Sequence, residues 1–307
     1  MRRSLFDGAA NVVNIGGVAK GNRRGAMNKA LDVPQKLKFV RSALYVPASN
    51  ARALEKAREL DADMLILDLE DAVAGDAKSD ARIAAKQYVN AGIAGKFLAI
   101  RVNSPDSRWF DDDVFALKEC RADLFVLPKV EAATTVDRIW RNLGAPLLAM
   151  IETPAGLYAA RDIAAHHAVA GLIAGTNDIA AETGIKPGPE RQGLEMALQM
   201  IVLAASASGK PRFDGVCNRL DDMGGFTAEC EQGAGFGFTG KTLIHPNQIA
   251  IANQAFAPDE ASVSEAEELI AASRGGAQRF KGRMIEAMHV EEAKMTVERS
   301  QYATGGF

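Results

Sequence analysis

From Lys38 onward the chain alternates short apolar runs with longer segments whose apolar positions recur at helical spacing. The runs predict strands over residues 43–46, 64–67, 97–100, 124–127, 147–151, 171–174, 215–217 and 241–244. Most are apolar on both faces, as a parallel strand must be when layers cover both sides of its sheet. The segments between them predict helices over 50–60, 77–91, 112–120, 131–142, 155–166, 190–207 and 221–236. This alternation predicts a (β/α)₈ TIM barrel over residues 38–257, with a doubly wound open sheet as the alternative. After the eighth strand the pattern turns helical, over 259–273 and 290–299, with Arg274-Gly275-Gly276 as a break. Residues 258–307 therefore read as a helical C-terminal extension, too small for a core of its own, that packs on the barrel or on a neighbouring subunit.

In a parallel barrel the chemistry sits at the C-terminal ends of the strands. The second predicted strand runs into Asp68-Leu69-Glu70-Asp71, the third into Arg101-Val102-Asn103 and the fourth into Pro128-Lys129. The fifth runs into Glu152-Thr153-Pro154 and the sixth into Gly175-Thr176-Asn177-Asp178. Glu152 and Asp178, on adjacent strand ends, are the candidate metal ligands: two carboxylates completed by substrate oxygens and water make an oxygen shell that suits Mg²⁺. No histidine sits at a comparable strand end except His245, which argues against zinc. Either acid could instead cap the helix that follows it.

Arg101 offers a planar fork of donors for a carboxylate, and with a metal beside it a 2-oxo or 2-hydroxy acid would be gripped at two points. Asp68, Glu70 and Asp71 would repel one another unless a cation or an arginine sits among them. Glu70 and Asp71 are read as groups that orient Arg101 or a metal-bound water, against the alternative of a solvated loop. Lys129 could stabilise an anion.

Composition narrows the partners. A net charge of −3 over 307 residues excludes nucleic acid as the main partner, since phosphate binding needs a concentrated basic excess. No apolar run reaches the roughly 18 residues of a membrane span. Cys120, Cys217 and Cys230 are too few and too scattered for a disulfide framework, and read as small buried hydrophobes in a reducing, cytoplasmic compartment. Residues 1–37 form a basic arm, with Arg2, Arg3, Lys20, Arg23, Arg24, Lys29 and Lys36 against Asp7 and Asp32. An arm docked on a neighbour fits this better than a transit peptide, because Ser is sparse and no amphipathic helix is evident.

Six ordered motifs carry a resemblance. They are Arg41-Ser42-Ala43-Leu44-Tyr45-Val46-Pro47, Ile66-Leu67-Asp68-Leu69-Glu70-Asp71-Ala72-Val73 and Arg101-Val102-Asn103, then Met150-Ile151-Glu152-Thr153-Pro154, Gly175-Thr176-Asn177-Asp178 and Gly240-Lys241-Thr242-Leu243-Ile244-His245-Pro246. Together they resemble the citrate lyase β-subunit-like family of the HpcH/HpaI aldolase superfamily. The resemblance implies a (β/α)₈ barrel assembled as a homotrimer or homohexamer, with Mg²⁺ on Glu152 and Asp178 and the substrate carboxylate on Arg101. It further implies that Arg41 lies near the thioester or its CoA, and that Asn177, Ile244 and His245 line the acyl-thioester site.

The implied reaction is retro-aldol cleavage of a 3-hydroxyacyl-CoA thioester, such as malyl-CoA or citramalyl-CoA, to an acyl-CoA and a 2-oxo acid. In many members a C-terminal Met-Ile-Asp motif from a neighbouring subunit supplies the acid that protonates the enolate. Here the matching stretch reads Met284-Ile285-Glu286, with Glu286 in place of the aspartate. The longer side chain keeps three alternatives open: a citrate lyase β subunit working on a citryl-acyl carrier protein, a thioesterase, and a relative that binds thioesters without turnover.

Overall fold

The computed structural model describes residues 33, 35–188 and 190–305. Eight parallel strands close into a barrel in chain order. They are β1 (Ser42–Pro47), β2 (Met64–Asp68), β3 (Phe97–Arg101), β4 (Leu124–Leu127), β5 (Leu147–Ile151), β6 (Val169–Ala174), β7 (Arg212–Asp214) and β8 (Gly240–Leu243). Pairing of β1 with both β2 and β8 closes the ring. The open-sheet alternative is thereby excluded.

The helices between strands are α1 (Ala51–Ala57), α2 (Lys78–Ala91), α3 (Phe110–Leu117), α4 (Ala133–Leu143), α5 (Pro154–Ala165), α6 (Thr176–Thr183), α7 (Glu195–Ala207) and α8 (Met223–Phe236), with α9 (Ile249–Ala255) after β8. The short helices α6 and α9 are additions to the sequence reading. One strand moves: β7 occupies Arg212–Asp214, not 215–217. Its two charged residues hide it from an apolar-run criterion, and the apolar Val216 lies instead in the loop that follows.

Alternation along each strand separates two cores. Ala43, Met64, Ile66, Phe97, Ala99, Leu148 and Met150 point inward and fill the barrel. Leu44, Leu65, Leu67, Leu98, Ile100, Ala149 and Ile151 point outward and pack under the helices. Val33, Leu37 and Val40 join the inner core, so the chain just before β1 belongs to the packed barrel. The rest of the basic arm lies outside the described residues. Cys217 and Cys230 are buried free thiols, while Cys120 is half-buried. No helix among the described residues is long and apolar enough to cross a membrane.

The extension holds α10 (Glu260–Ala272), a hairpin of β9 (Gln278–Phe280) and β10 (Arg283–Ile285), and α11 (Ala287–Gly305). Contrary to the expectation from its size, it has a small core of its own in Ala266, Leu269, Ile285 and Ala293. It docks through the second half of α11. There Arg299 donates to the carbonyls of Thr239 and Phe256 at 2.7 and 3.2 Å, Glu298 pairs with Lys38 at 3.2 Å, and Tyr302 stacks on Phe39. Thr239, Lys38 and Phe39 all precede strands, so the dock lies at the N-terminal end of the barrel.

Candidate functional site

The inward register ends, at the C-terminal rim, on polar residues. In β2 it runs Met64, Ile66, Asp68; in β3 Phe97, Ala99, Arg101; after β5 it continues Leu148, Met150, Glu152. The same parity that fills the barrel with hydrocarbon thus aims an acid, a guanidinium and a second acid along its axis. They line a cavity of ≈ 320 Å³ with Tyr45, Asp71, Asn177, Asp178, Asn218, Thr242 and Ile244. That is the size of a small-ligand site.

Arg101 is the arginine that the acidic loop requires. Asp68 accepts from its Nε and Nη2 at 2.7 and 2.6 Å in a bidentate pair, while Nη1 faces Glu70 at 3.0 Å and Asp71 at 3.2 Å. The guanidinium also lies 4.8 Å from the Tyr45 ring centroid. Asp68 further accepts the backbone N–H groups of Glu70 and Ala72, so one carboxylate fixes both the arginine and the loop. From behind, Lys78 donates to the carbonyls of Leu69 and Glu70 and to Asn103 Oδ1. Burial pushes the Glu70 carboxyl up to about 8, with Arg101 pulling the other way. Asp71 is 74% exposed, so it is the partner of Nη1 that an incoming anion displaces most readily.

Glu152 is 2% exposed, and its Oε1 accepts the Lys129 backbone N–H at 2.7 Å. Burial, and then the nearby Asp178, push its carboxyl up to about 7. The local sequence builds this position. Thr153 caps α5 by accepting the Gly156 N–H, with Pro154 opening the helix, so the chain turns away directly after Glu152. Gly175 is required opposite, because a Cβ there would stand 2.2 Å from Glu152 Cβ and 2.5 Å from its Oε2. Asp178 follows in the first turn of α6, 3.6 Å from the Lys129 ammonium.

Among the described residues no group of three or more His, Cys, Asp or Glu side chains is placed to cage a metal. What Glu152 and Asp178 offer is two carboxylates, one of them buried and pushed up first by that burial and then by the other. That donor set fits Mg²⁺, which is commonly held by one or two carboxylates and keeps its other positions for water and substrate.

The remaining predicted residues divide. Asn177 pairs with Asn218 across the mouth, accepting its Nδ2 at 2.8 Å, and Ile244 lines the cavity. His245 is not among the lining residues: its Nδ1 accepts the Asn247 N–H and caps the 3₁₀ turn Pro246–Gln248. Arg41 is corrected. It precedes β1, at the opposite end of the barrel from the mouth, and pairs with Asp63 through Nε at 2.9 Å and Nη2 at 2.8 Å. A guanidinium so placed closes the floor of the barrel and does not meet a ligand at its mouth. Glu286 is exposed on the extension, where its N–H donates to His289 Nδ1, and it does not line its own chain's cavity. The sequence marks Asp68 only as a member of the acidic cluster, with no role of its own, and does not mark Tyr45 as a site residue or Asn218 at all. Parity with Arg101 could have found the first; the others depend on loop and packing geometry.

A closed parallel barrel with its carboxylates and one arginine gathered at the C-terminal rim defines the class: a (β/α)₈ barrel with an acid-rich cavity at the end where such barrels carry their chemistry. The chain belongs to the HpcH/HpaI aldolase/citrate lyase family, whose model matches residues 41–246. It is 41% identical over 269 residues to a (3S)-malyl-CoA thioesterase of Cereibacter sphaeroides, a match covering 85% of this chain and 94% of that protein. It is 31% identical over 288 residues to the human mitochondrial citramalyl-CoA lyase, covering 84% of each. Among solved structures it is similar to CitE of Mycobacterium tuberculosis in complex with magnesium, acetoacetate and coenzyme A. That match has a TM-score of 0.73 and 29% identity, and covers 85% of this chain and 97% of the other.

Proposed function

We propose that this chain is a Mg²⁺-dependent carbon–carbon lyase that cleaves a 3-hydroxyacyl-CoA thioester of the malyl-CoA or citramalyl-CoA type. The observation that carries the reading is the meeting of Glu152, Asp178 and Arg101 at one cavity. Glu152 and Asp178 would hold the ion. Bound there, Mg²⁺ supplies Lewis-acid polarisation of oxygens on the substrate.

The chain's own groups do the rest. Asp68 locks one edge of Arg101, leaving the Nη1 side to take the substrate carboxylate in place of Asp71. Glu70, with its raised proton affinity, neutralises little of that charge near pH 7, so the guanidinium stays attractive to an anion. The wall made by Tyr45 and Met150 limits water below the reacting carbons. In the cleavage the 3-hydroxyl loses its proton to a base and becomes the carbonyl of the 2-oxo acid, while the electrons of the broken carbon–carbon bond pass into the thioester enolate, whose carbon must then gain a proton. Glu286 from a neighbouring subunit of a homotrimer or homohexamer is assigned that donation.

A second reading, thioester hydrolysis, is favoured by the 41% identity to a (3S)-malyl-CoA thioesterase and by the longer Glu286 side chain. One assay separates the two. The protein is incubated with malyl-CoA and citramalyl-CoA, with Mg²⁺ or EDTA, and the products are followed by mass spectrometry. Metal-dependent acetyl-CoA plus a 2-oxo acid supports the lyase. Free CoA plus the intact hydroxy acid identifies the thioesterase. No turnover of either compound would sink both readings.

A further inference from the structure

Lys129 lies two residues past the end of β4, in a conformation that side chains avoid. Its φ is 51°, in the left-handed region where a Cβ crowds the following carbonyl and where glycine is the unstrained choice. The conformation aims its two donors at two different acids. The backbone N–H points at Glu152 Oε1, 2.7 Å away, and the ammonium stands 3.6 Å from Asp178 Oδ1. The first contact needs only the backbone, and glycine would supply it. The second needs the lysine, and it explains why a side chain is kept where glycine would be easier.

The two contacts differ in permanence. The N–H bond lies against a buried carboxylate. The ion pair is about half exposed on both sides, 47% for Lys129 and 42% for Asp178, and the ammonium rides on a flexible four-carbon stem. An ammonium beside Asp178 and a divalent cation held by Asp178 and Glu152 are like charges competing for the same acid. Both cannot be there at full strength.

Resting on the assignment of the cation to Glu152 and Asp178, we infer that the Lys129 ammonium is a built-in competitor for that cation. It balances Asp178 until the cation binds and is then displaced toward the cavity rim. The backbone of the same residue meanwhile keeps Glu152 in place in both conditions. Lys129 is thus a positioning residue that sets how tightly the metal is held, and loosens it relative to what the two carboxylates alone would give.

The test is a Mg²⁺ titration by calorimetry on EDTA-stripped full-length protein, without substrate, so that its readout is metal affinity and not turnover. Lys129→Gly keeps the backbone donor and suits the positive φ, while it deletes the ammonium. It is expected to bind Mg²⁺ about threefold more tightly than wild type, the modest size of effect that a half-exposed ion pair can exert. Lys129→Arg, which keeps the charge, is expected to bind as wild type does. Unchanged or weaker binding in Lys129→Gly overturns the inference, as does tighter binding that Lys129→Arg shares. Glu152→Ala, run alongside, isolates the assignment beneath it: if that variant binds Mg²⁺ like wild type, the metal assignment fails, whatever Lys129 does.

Discussion

Two clusters of charge lie within this barrel, and they are built on opposite plans. One sits between the barrel and α8, where Asp214 on β7 and Glu229 on α8 meet Arg191 and Lys241. Lys241 lies 2.7 Å from Asp214 and 2.9 Å from Glu229, and Arg191 lies 2.9 and 3.5 Å from the same two acids. Two buried acids face two buried bases, with Lys241 0% exposed, and at the edge Arg219 joins Glu229 to Asp222 at 3.4 and 3.2 Å, which keeps acids and bases equal in number. The other cluster is the mouth. There Asp68, Glu70, Asp71, Glu152 and Asp178 face Arg101 and Lys129, with Lys78 behind the loop.

Burial opposes charge in both clusters, but the outcome differs. In the first, Lys241 and Arg191 outweigh burial and hold the Asp214 carboxyl below its usual value, while Asp214 and Glu229 likewise raise Lys241. At the mouth burial wins, and Glu70 and Glu152 are pushed up to about 8 and about 7. A balanced cluster is complete as it stands. An acid surplus gathered at a cavity has a use for a cation, and that imbalance separates a ligand site from a structural network better than charge density does.

The largest effect expected from breaking this contrast is in the balanced cluster. Lys241→Met leaves Asp214 and Glu229 buried with one base fewer, and should cost about 3–5 kcal/mol in urea unfolding. A loss below about 1 kcal/mol would mean that the cluster tolerates imbalance, and the distinction drawn from it would go. Next comes Glu152→Ala. Loss of a metal ligand should lower turnover of malyl-CoA or citramalyl-CoA about a thousandfold, since Lewis-acid stabilisation is worth several kcal/mol. Unfolding stability should hold, because the substitution removes a buried acid that Asp178 repels. Loss of folding together with activity would make Glu152 a structural residue like Asp214. Smaller again is Arg101→Lys, which keeps the charge but cannot keep the bidentate pair with Asp68. A fall in kcat/KM of about 10- to 100-fold is expected, as for a group moved by about 1 Å. An unchanged value would show that Arg101 serves only as a point charge.

The barrel was legible in the sequence because its strands are short apolar runs and its helices are amphipathic. Legibility failed at β7, where Arg212 and Asp214 carry charge into the strand, and at the hairpin of β9 and β10, whose residues are too polar for an apolar-run criterion. At the site, the strand-end rule led to Arg101, Glu152 and Asp178, and the structure brings them to one cavity. The same rule argues against Arg41, which stands before its strand, on the floor. There the motif resemblance and the register disagree. Asp68 shares the parity of Arg101 and Glu152, and that parity was the unused signal. The network of Arg191, Asp214, Glu229 and Lys241 had no signal of this kind, since its members come from four separate segments and meet only when the barrel closes.

The cleanest separation of the two clusters comes from pH, which acts on one and passes over the other. Glu70 and Glu152 begin from an ordinary value of 4.5 and are raised to about 8 and about 7 in the folded chain. Between 4.5 and those values the folded protein holds protons that the unfolded chain has released, so unfolding releases protons and stability falls as pH rises. Their contribution is full below pH 4.5 and lost by about pH 8. Asp214, lowered in the fold, and Lys241, raised, both stay charged through this window and add no slope. Unfolding free energy, measured from pH 5 to 8 in EDTA, should therefore decline, and the decline should flatten in a Glu70→Gln, Glu152→Gln double variant. Saturating Mg²⁺ should flatten it too, since the cation favours the deprotonated acids and binds more tightly as pH rises. A slope that survives the double variant would place the proton release elsewhere and remove the acid surplus as the mark that distinguishes the mouth.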